Sequence, residues 1–182
     1  MLINAAGAWA DAVAQNAGIA AIGLQPRRRS AFTFDAPAGL AHRGWPVVAG
    51  IDEGWYFKPD AGQLLGSPAN ADPVPAHDVQ PEEIDIATGI ARIEAATLLT
   101  IRRPRRTWAG LRTFAADGDL VVGFEPGADG FFWLAGQGGY GIQTAAAVAQ
   151  LAESLLLCTA LPDALQREGV QPAAMAPARL RG

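Results

Sequence analysis

The stretch that most constrains the fold of this chain is residues 131–144, where an apolar aromatic run is followed by four glycines and a helix-forming segment. Residues 131–135 predict a buried strand, and residues 142–157, rich in Ala and Leu and without interior Pro or Gly, predict a helix. A glycine turn at a helix N-terminus presents unpaired backbone N–H groups and a partial positive charge. Such a turn suits an anionic or electron-rich ligand that must approach the backbone closely. A turn that serves only packing is the alternative.

The same turn matches the dinucleotide-binding pattern G-x-G-x-x-G at Gly136, Gly138 and Gly141. In NAD-binding domains this pattern opens a βαβ unit, and an acidic ribose ligand follows about 20 residues later. Here the helix is followed by residues 161–182, a proline-containing segment that predicts a tail draped over the surface. An NAD-binding domain built on this turn is therefore disfavoured.

Composition and charge narrow the class of protein. Hydrophobic residues make up 50% of the 182 residues and charged residues 18%, which is typical of a globular chain. The net charge of -4 gives no reason to expect a nucleic-acid partner. The single cysteine, Cys158, fits a reducing, cytoplasmic compartment and predicts a buried structural thiol. His42 and His77 fall in predicted loops without ligand-like spacing, so no metal site is expected.

The hydrophobic pattern predicts an α+β fold whose middle is an antiparallel meander with one helix. Predicted strands cover residues 2–5, 24–34, 47–51, 55–58, 63–66, 106–115, 120–124 and 131–135, and predicted helices cover 8–17, 81–99 and 142–157. Gly18 is expected to end the first helix. The strand at 24–34 is expected to have one face in water, and Ile86, Ile90 and Ile93 to give the second helix its core face.

Three polar side chains are candidates for a functional site. Arg112 lies in an otherwise apolar strand, where its planar fork suits a substrate carboxylate, although a solvated strand face explains it equally. Tyr56 stands among aromatic residues and is either core or a pocket wall that donates to a ligand. Arg27, Arg28 and Arg29 most simply form a solvated face, and in a strand Arg28 points opposite to the other two.

Together, three runs resemble the FAD-dependent D-amino-acid oxidase superfamily, and within it the bacterial D-arginine dehydrogenases. They are Asn4-Ala5-Ala6-Gly7-Ala8-Trp9, Gly110-Leu111-Arg112 and Gly138-Gly139-Tyr140-Gly141-Ile142-Gln143-Thr144. Residues 25–32, 58–62 and 65–73 are similar to that subgroup as well. The resemblance covers nearly the whole chain, but only the C-terminal half of the family.

The resemblance implies a division into four segments. Residues 1–23 and 117–160 correspond to the returning and C-terminal parts of an FAD-binding Rossmann-like domain whose N-terminal part is missing. Residues 24–116 correspond to the substrate-binding domain, with an antiparallel sheet, and residues 161–182 to the tail. We therefore expect the chain to begin partway through a larger protein. Alone, it is expected to be marginally stable and inactive, or to act as a binding module whose partner supplies the ADP-binding half.

The resemblance also implies roles for individual residues. Arg112 matches the arginine that pairs with the substrate carboxylate, and Tyr56 the tyrosine that hydrogen-bonds the same group. Arg29 matches a second arginine near the substrate head, and Gly139 and Gln143 match positions that face substrate and flavin. The positions implied near the flavin are Ala5, Ala6, Gly7, Trp9, Gly110, Gly138, Gly139, Tyr140, Gly141, Ile142, Gln143 and Thr144.

The chemistry implied by the resemblance is oxidative deamination of a D-amino acid by hydride transfer from its Cα to N5 of FAD. Arg112 and Tyr56 would contribute by positioning the substrate. The electron acceptor stays open between dioxygen and a membrane quinone, and neither nucleic acid nor metal is expected as a partner.

Overall fold

The computed structural model describes residues 1–181, which form two compact units. The first unit comprises residues 1–26 and 112 onward, and the second comprises residues 27–111. The strands are β1 Leu2–Asn4, β2 Gln25–Phe34, β3 Val48–Ala49, β4 Tyr56–Asp60, β5 Gln63–Ser67, β6 Asp72–Pro73, β7 Arg106–Phe114, β8 Val121–Phe124 and β9 Phe131–Ala135. The helices are α1 Ala10–Asn16, α2 Glu83–Ala96, α3 Gly141–Leu156, α4 Asp163–Arg167 and α5 Pro172–Met175, with 3-10 turns at Gly7–Trp9 and Pro177–Leu180. Within residues 1–181 no helix is long and apolar enough to cross a membrane.

Every strand and helix predicted from the hydrophobic pattern is confirmed, with ends that shift by at most three residues. The fold is therefore a mixed α/β arrangement of antiparallel pairs and βα pieces. Gly18 follows α1 in a left-handed conformation (φ 76°), as expected for a helix C-terminal stop. Strand β6 was not predicted, because its two residues lie in a polar loop and pair only with Arg27 and Arg28.

The first unit is built on a three-stranded sheet in the order β1–β9–β8. Strand β1 runs parallel to β9, with Asn4 opposite Trp133, and β8 is antiparallel to β9. Trp133 is fully buried, and its Nε1 donates to Oε2 of the buried Glu125 at 2.8 Å. The other oxygen of Glu125 lies 2.9 Å from Nη2 of Arg181, so the buried carboxylate is neutralised within the same unit.

The second unit holds the predicted meander. Strands β3, β4 and β5 pair antiparallel in sequence, β5 pairs with β2, and β6 and β7 also pair with β2. The β4–β5 turn places Ala61 and Gly62 at positive φ (46° and 86°), the geometry of a two-residue hairpin turn. Helix α2 covers the core with buried Ile86 and Ile93, which confirms its predicted apolar face.

Two predictions about the C-terminal region were wrong. Residues 161–181 do not simply drape over the surface, because they form α4 and α5 and bury Leu165 in the cluster that contains Phe132 and Leu151. Apolar residues spaced along this segment cover the second face of the sheet, which explains the folding. Cys158 is exposed rather than buried, because α3 ends before it and it takes a left-handed conformation (φ 52°).

The expected solvent-facing side of strand β2 was also wrong for its second half. Residues 30–34 are all buried, including Ser30 at 0% and Thr33 at 7% exposure. The reason is that both faces of this half are covered, since Phe32 and Phe34 pack in one cluster with Ile86 and Ile93 of α2, and Ala31 on the opposite face is buried as well. Alternation predicts a wet face only where a strand has one face left uncovered.

An ion pair with Asp117 stabilises the C-terminal 3-10 turn, and its contribution to stability should depend on pH. Arg179 donates from Nε and Nη2 to the two carboxylate oxygens of Asp117 at 2.7 and 3.1 Å, and this hydrogen bonding lowers the pKa of Asp117. Asp117→Asn should lower the free energy of unfolding at pH 7 by about 1 kcal/mol or less, since the pair is partly exposed. A lowered folded-state pKa stabilises above the unfolded pKa of about 3.9, so the difference should shrink as pH falls below it.

Chemical denaturation at pH 7 and at about pH 3 measures this effect. Asp129→Asn, at an exposed carboxylate of the same unit, is the control and should change little at either pH. A loss for Asp117→Asn that is the same at both pH values would contradict the assignment.

Candidate functional site

The site candidates of the first unit lie at one edge of its sheet. Because β1 and β9 are parallel, their carboxyl ends meet at the same edge. The turn at residues 5–7 follows β1 and leads to α1, and the glycine turn at residues 136–140 follows β9 and leads to α3. The carboxyl edge of parallel strands in a sheet flanked by helices is where such folds bind ligands. The structure therefore places two of the predicted flavin-facing segments at a common edge.

Asn4 shapes the first of these turns and was missed by the sequence reasoning. Its side chain is 1% exposed, its Nδ2 donates to the carbonyl of Ala10 at 2.8 Å, and its Oδ1 accepts from the N–H of Ala6 at 3.3 Å. The following Gly7 takes a left-handed conformation (φ 57°) with open space where a Cβ would stand. A polar residue ending a short apolar strand is the signal that could have identified Asn4 as the organiser of this turn.

The glycine turn is held against the end of β7. The N–H of Gly138 donates to the carbonyl of Thr113 at 2.8 Å, and Gly138 has a φ of 52°. A Cβ on Gly138 would stand 2.7 Å from Cε1 of Phe114, so the turn approaches β7 more closely than another residue allows. Packing therefore accounts for Gly138, as the alternative interpretation of the turn held.

The beginning of α3 offers backbone donors. Tyr140 stands at the N-cap without a side-chain cap, and the first helical hydrogen bond runs from the N–H of Thr144 to the carbonyl of Tyr140 at 3.0 Å. The N–H groups of the first turn therefore point beyond the helix end, where the helix carries partial positive charge. Ile142 is 98% exposed, so this end of the helix is open to a ligand.

Arg112 lies directly against this turn. Its Nη1, Cζ and Nε atoms stand 2.8, 3.4 and 3.9 Å from where a Cβ of Gly139 would be, so the guanidinium lies on the bare backbone of that glycine. The side chain is half-buried, not fully solvated on a strand face. Among residues 1–181 it has no acidic partner, whereas Arg28, Arg105, Arg179 and Arg181 each pair with a carboxylate. A half-buried guanidinium without an internal anion can receive a carboxylate from a ligand.

The residues present fit the flavin that the resemblance implies. Glycines without Cβ atoms admit a planar ring, and backbone N–H groups at a helix start can donate to its electron-rich edge. Of the predicted flavin-facing residues, the exposed ones are Ala5, Gly7, Trp9, Gly110, Gly139, Tyr140, Ile142 and Gln143, and the half-buried ones are Ala6, Gly138, Gly141 and Thr144.

The remaining substrate candidates lie in the second unit. Tyr56, in β4, is half-buried and stands opposite Ser67 of β5, whereas the neighbouring Phe57 is buried in the core. Arg29, in β2, is also half-buried. Gly110 belongs to the second unit as well, although it shares β7 with Arg112. The structure thus brings Arg112 together with Gly139, while Tyr56 in β4 and Arg29 in β2 belong to the second unit, where β5 lies between their strands.

A separate cleft in the second unit does not coincide with any predicted site. It measures about 790 Å³, and its lining includes Phe34, Asp35, Leu98 and three arginines, Arg102, Arg103 and Arg105. Arg105 is paired with Asp35 there. Residues 1–181 contain no cluster of three or more His, Cys, Asp or Glu side chains that could hold a metal ion.

Comparisons with known proteins agree with this geometry. Residues 2–155 match the family described as FAD dependent oxidoreductase. The chain is 27% identical over 178 residues to FAD-dependent oxidoreductase domain-containing protein 1 of Xenopus laevis, covering 86% of this chain and 34% of that protein. It is 26% identical to the protein of the same name from Bos taurus, of which it covers 35%. The chain thus spans about a third of the length of these curated relatives.

Solved structures show the same fold. L-proline dehydrogenase from P. horikoshii superposes with a TM-score of 0.77 at 23% identity, over 100% of this chain and 47% of that one. Glycine oxidase from Geobacillus kaustophilus gives 0.69 at 21% identity, over 87% of this chain and 41% of that one. L-amino acid deaminase from Proteus vulgaris gives 0.70 at 17% identity, over 94% and 40%. Since the family match covers most of the sequence, this chain belongs to the FAD dependent oxidoreductase family, whose cofactor is FAD.

Proposed function

We propose that this chain forms the substrate-facing part of an FAD-dependent oxidoreductase that oxidises the Cα–N bond of an amino acid, and that its substrate is a D-amino acid. The observation that carries the proposal is the guanidinium of Arg112, which lies on the backbone of Gly139 without an acidic partner among residues 1–181. Beside the glycine cradle, it is suited to binding a substrate carboxylate. The sequence runs shared with the D-arginine dehydrogenases favour the D-configuration and a cationic side chain.

The bound flavin would supply the two-electron oxidation, and the chain would supply positioning. Arg112 would hold the carboxylate by two parallel N–H···O bonds, which orients the substrate and lowers the entropic cost of reaching a reactive geometry. The N–H groups at the start of α3 would donate to the electron-rich edge of the flavin and stabilise negative charge there. In the second unit, Arg29 and Tyr56 are proposed to bind the head of the substrate. We further propose that a separate segment binds the ADP part of FAD.

Solved structures of similar fold widen the set of substrates to test, because proteins described as acting on L-proline, glycine and L-amino acids share this fold. The flavin-loaded protein should therefore be mixed anaerobically with D-arginine, other D-amino acids, glycine, L-proline and L-arginine in turn. We expect D-amino acids to bleach the visible flavin spectrum. If only glycine or L-amino acids bleach it, the stereochemical part of the proposal is wrong. If a folded, flavin-loaded protein is bleached by none of them, the amino-acid oxidoreductase proposal is wrong.

A binding module that depends on a partner is the second candidate, and the span of about a third of the curated relatives favours it. Titration of FAD into the purified 182-residue chain, followed by flavin fluorescence, separates the two. Binding tighter than about 1 μM, or roughly -8 kcal/mol, would contradict the need for a partner.

Gly139→Ala tests the contact between the glycine turn and Arg112. The new methyl would stand 2.8 Å from Nη1, and because that atom ends a flexible side chain, the guanidinium should move while the fold stays intact. We expect KM for the amino acid to rise about tenfold, which corresponds to about 1.4 kcal/mol, with Tm little changed. Gly44→Ala is the control, since Gly44 lies outside the proposed site and a Cβ there would meet no atom within 4 Å. Equal effects of the two substitutions would contradict the proposed role of this contact.

A further inference from the structure

We propose that Asp85 is a positioning residue that fixes the strand carrying Arg29, and through it the binding of the substrate head. The proposal rests on the function proposed above. It concerns a carboxylate at the start of α2 that sequence reasoning placed only in a helix. The contacts that carry it all lie within the second unit.

One carboxylate oxygen of Asp85 accepts three side-chain hydrogen bonds. Its Oδ2 accepts from Nε of Arg28 at 3.1 Å, from Oγ of Ser30 at 2.9 Å and from Nδ2 of Asn70 at 3.0 Å. The side chain of Asp85 is 13% exposed, so these bonds are largely shielded from water. Hydrogen bonds to a shielded carboxylate are stronger than those between neutral groups, so the three donors are held firmly.

Two of these donors flank Arg29 in β2. Ser30 is fully buried, and its backbone is held as well, because its N–H donates to Oδ1 of Asn70 at 2.8 Å and its carbonyl accepts from Oγ of Ser67 at 2.7 Å. Side chains alternate along a strand, so Arg28 and Ser30 point to one face and Arg29 to the other. Anchoring the residues on both sides of Arg29 therefore sets the direction in which its side chain leaves the strand.

The other partners of Arg28 do not reach Ser30. Glu82 and Asp72 contact the guanidinium of Arg28 from the solvent side, and their side chains are 55% and 50% exposed. Removing the carboxylate of Glu82 leaves the bonds of Asp85 to Ser30 and Asn70 in place, whereas Asp72 also accepts from Nδ2 of Asn70 at 2.8 Å. Glu82→Gln is therefore a matched control for Asp85→Asn, because both substitutions remove one negative partner of the same arginine.

The test is steady-state kinetics of the flavin-loaded protein with the amino acid that bleaches it best. We expect Asp85→Asn to raise KM about tenfold with kcat changed less than about threefold, because a displaced binding group weakens positioning. Glu82→Gln should change KM by less than about twofold. In an Arg29→Ala background, Asp85→Asn should have almost no further effect, since its target is gone.

A rise in KM that is as large without Arg29 as with it would overturn the proposal, and so would an unchanged KM in a folded Asp85→Asn protein. If Asp85→Asn does not fold, Ser30→Ala removes one donor of the same oxygen and should raise KM about threefold by the same route. An unchanged KM in Ser30→Ala would then overturn the proposed role of Asp85.

Hydrogen exchange separates this proposal from the proposed function. If the wild-type protein oxidises no amino acid, the amino-acid function is wrong, yet the amides of residues 28–31 still report on the strand. Their exchange should accelerate at least about tenfold in Asp85→Asn and stay within about twofold of wild type in Glu82→Gln. Unchanged exchange in Asp85→Asn would overturn the role of Asp85 independently of turnover.

Discussion

Replacing Arg112 by lysine is expected to lower kcat/KM for the amino-acid substrate roughly 50-fold, or by about 2.3 kcal/mol, chiefly through a higher KM. Lysine keeps the positive charge but is a point charge, so it loses the fork that binds both oxygens of a carboxylate. Its ammonium also cannot lie flat on the backbone of Gly139, as the guanidinium does. The measurement is steady-state kinetics on protein with the same flavin content as wild type.

Arg106→Lys is the matched control for this substitution. Arg106 lies in the same strand, β7, but its side chain is exposed. Its substitution should leave kcat/KM within about twofold of wild type. If both variants behave like wild type, Arg112 does not bind the carboxylate. If both lose activity equally, the loss comes from β7 as a whole rather than from the guanidinium on the glycine turn.

Replacing Gly138 by alanine is expected to lower the free energy of unfolding of the first unit by about 3 kcal/mol. A left-handed backbone costs a residue with a Cβ roughly 1–2 kcal/mol, and the φ of Gly138 is 52°. The new methyl would also stand 2.7 Å from the ring of Phe114, and overpacking of this kind costs about 1–3 kcal/mol. Urea unfolding followed by tryptophan fluorescence measures the loss, since the buried Trp133 belongs to the same unit.

Gly127→Ala separates the two causes of this loss. Gly127 also has a positive φ, 75°, but a Cβ there would meet no atom within 4 Å. Its substitution should cost only the backbone part, about 1 kcal/mol. Equal losses at the two positions would mean that the close approach to Phe114 contributes nothing to the stability of the turn.

Much of the local structure followed from short patterns in the sequence. The apolar run before the glycines predicted β9, the Ala- and Leu-rich segment predicted α3, and Gly18 predicted the end of α1. The isoleucines at helical spacing predicted the buried face of α2. These predictions succeeded because backbone preferences and hydrophobic periodicity act over a few residues.

Other features depended on neighbours that are distant in sequence. Alternation along β2 predicted a wet face, but both faces of its second half are covered, so residues 30–34 are buried. The prolines after α3 predicted a surface tail, but Leu165 is buried in a hydrophobic cluster with Phe132 and Leu151. Burial of this kind is decided by which surfaces meet, and a short window of sequence does not contain that information.

The candidate site shows the same division. The sequence by itself determined the glycine turn, the helix that follows it and the presence of an arginine in the apolar strand β7, because residue type sets backbone freedom and chemistry. Only the tertiary structure decided that Arg112 lies on Gly139, that Asn4 orders the turn after β1, and that Asp85 anchors both neighbours of Arg29. The contacts of Arg112 and Asp85 join residues 27 to 57 positions apart, and they form only when the strands and helices pack.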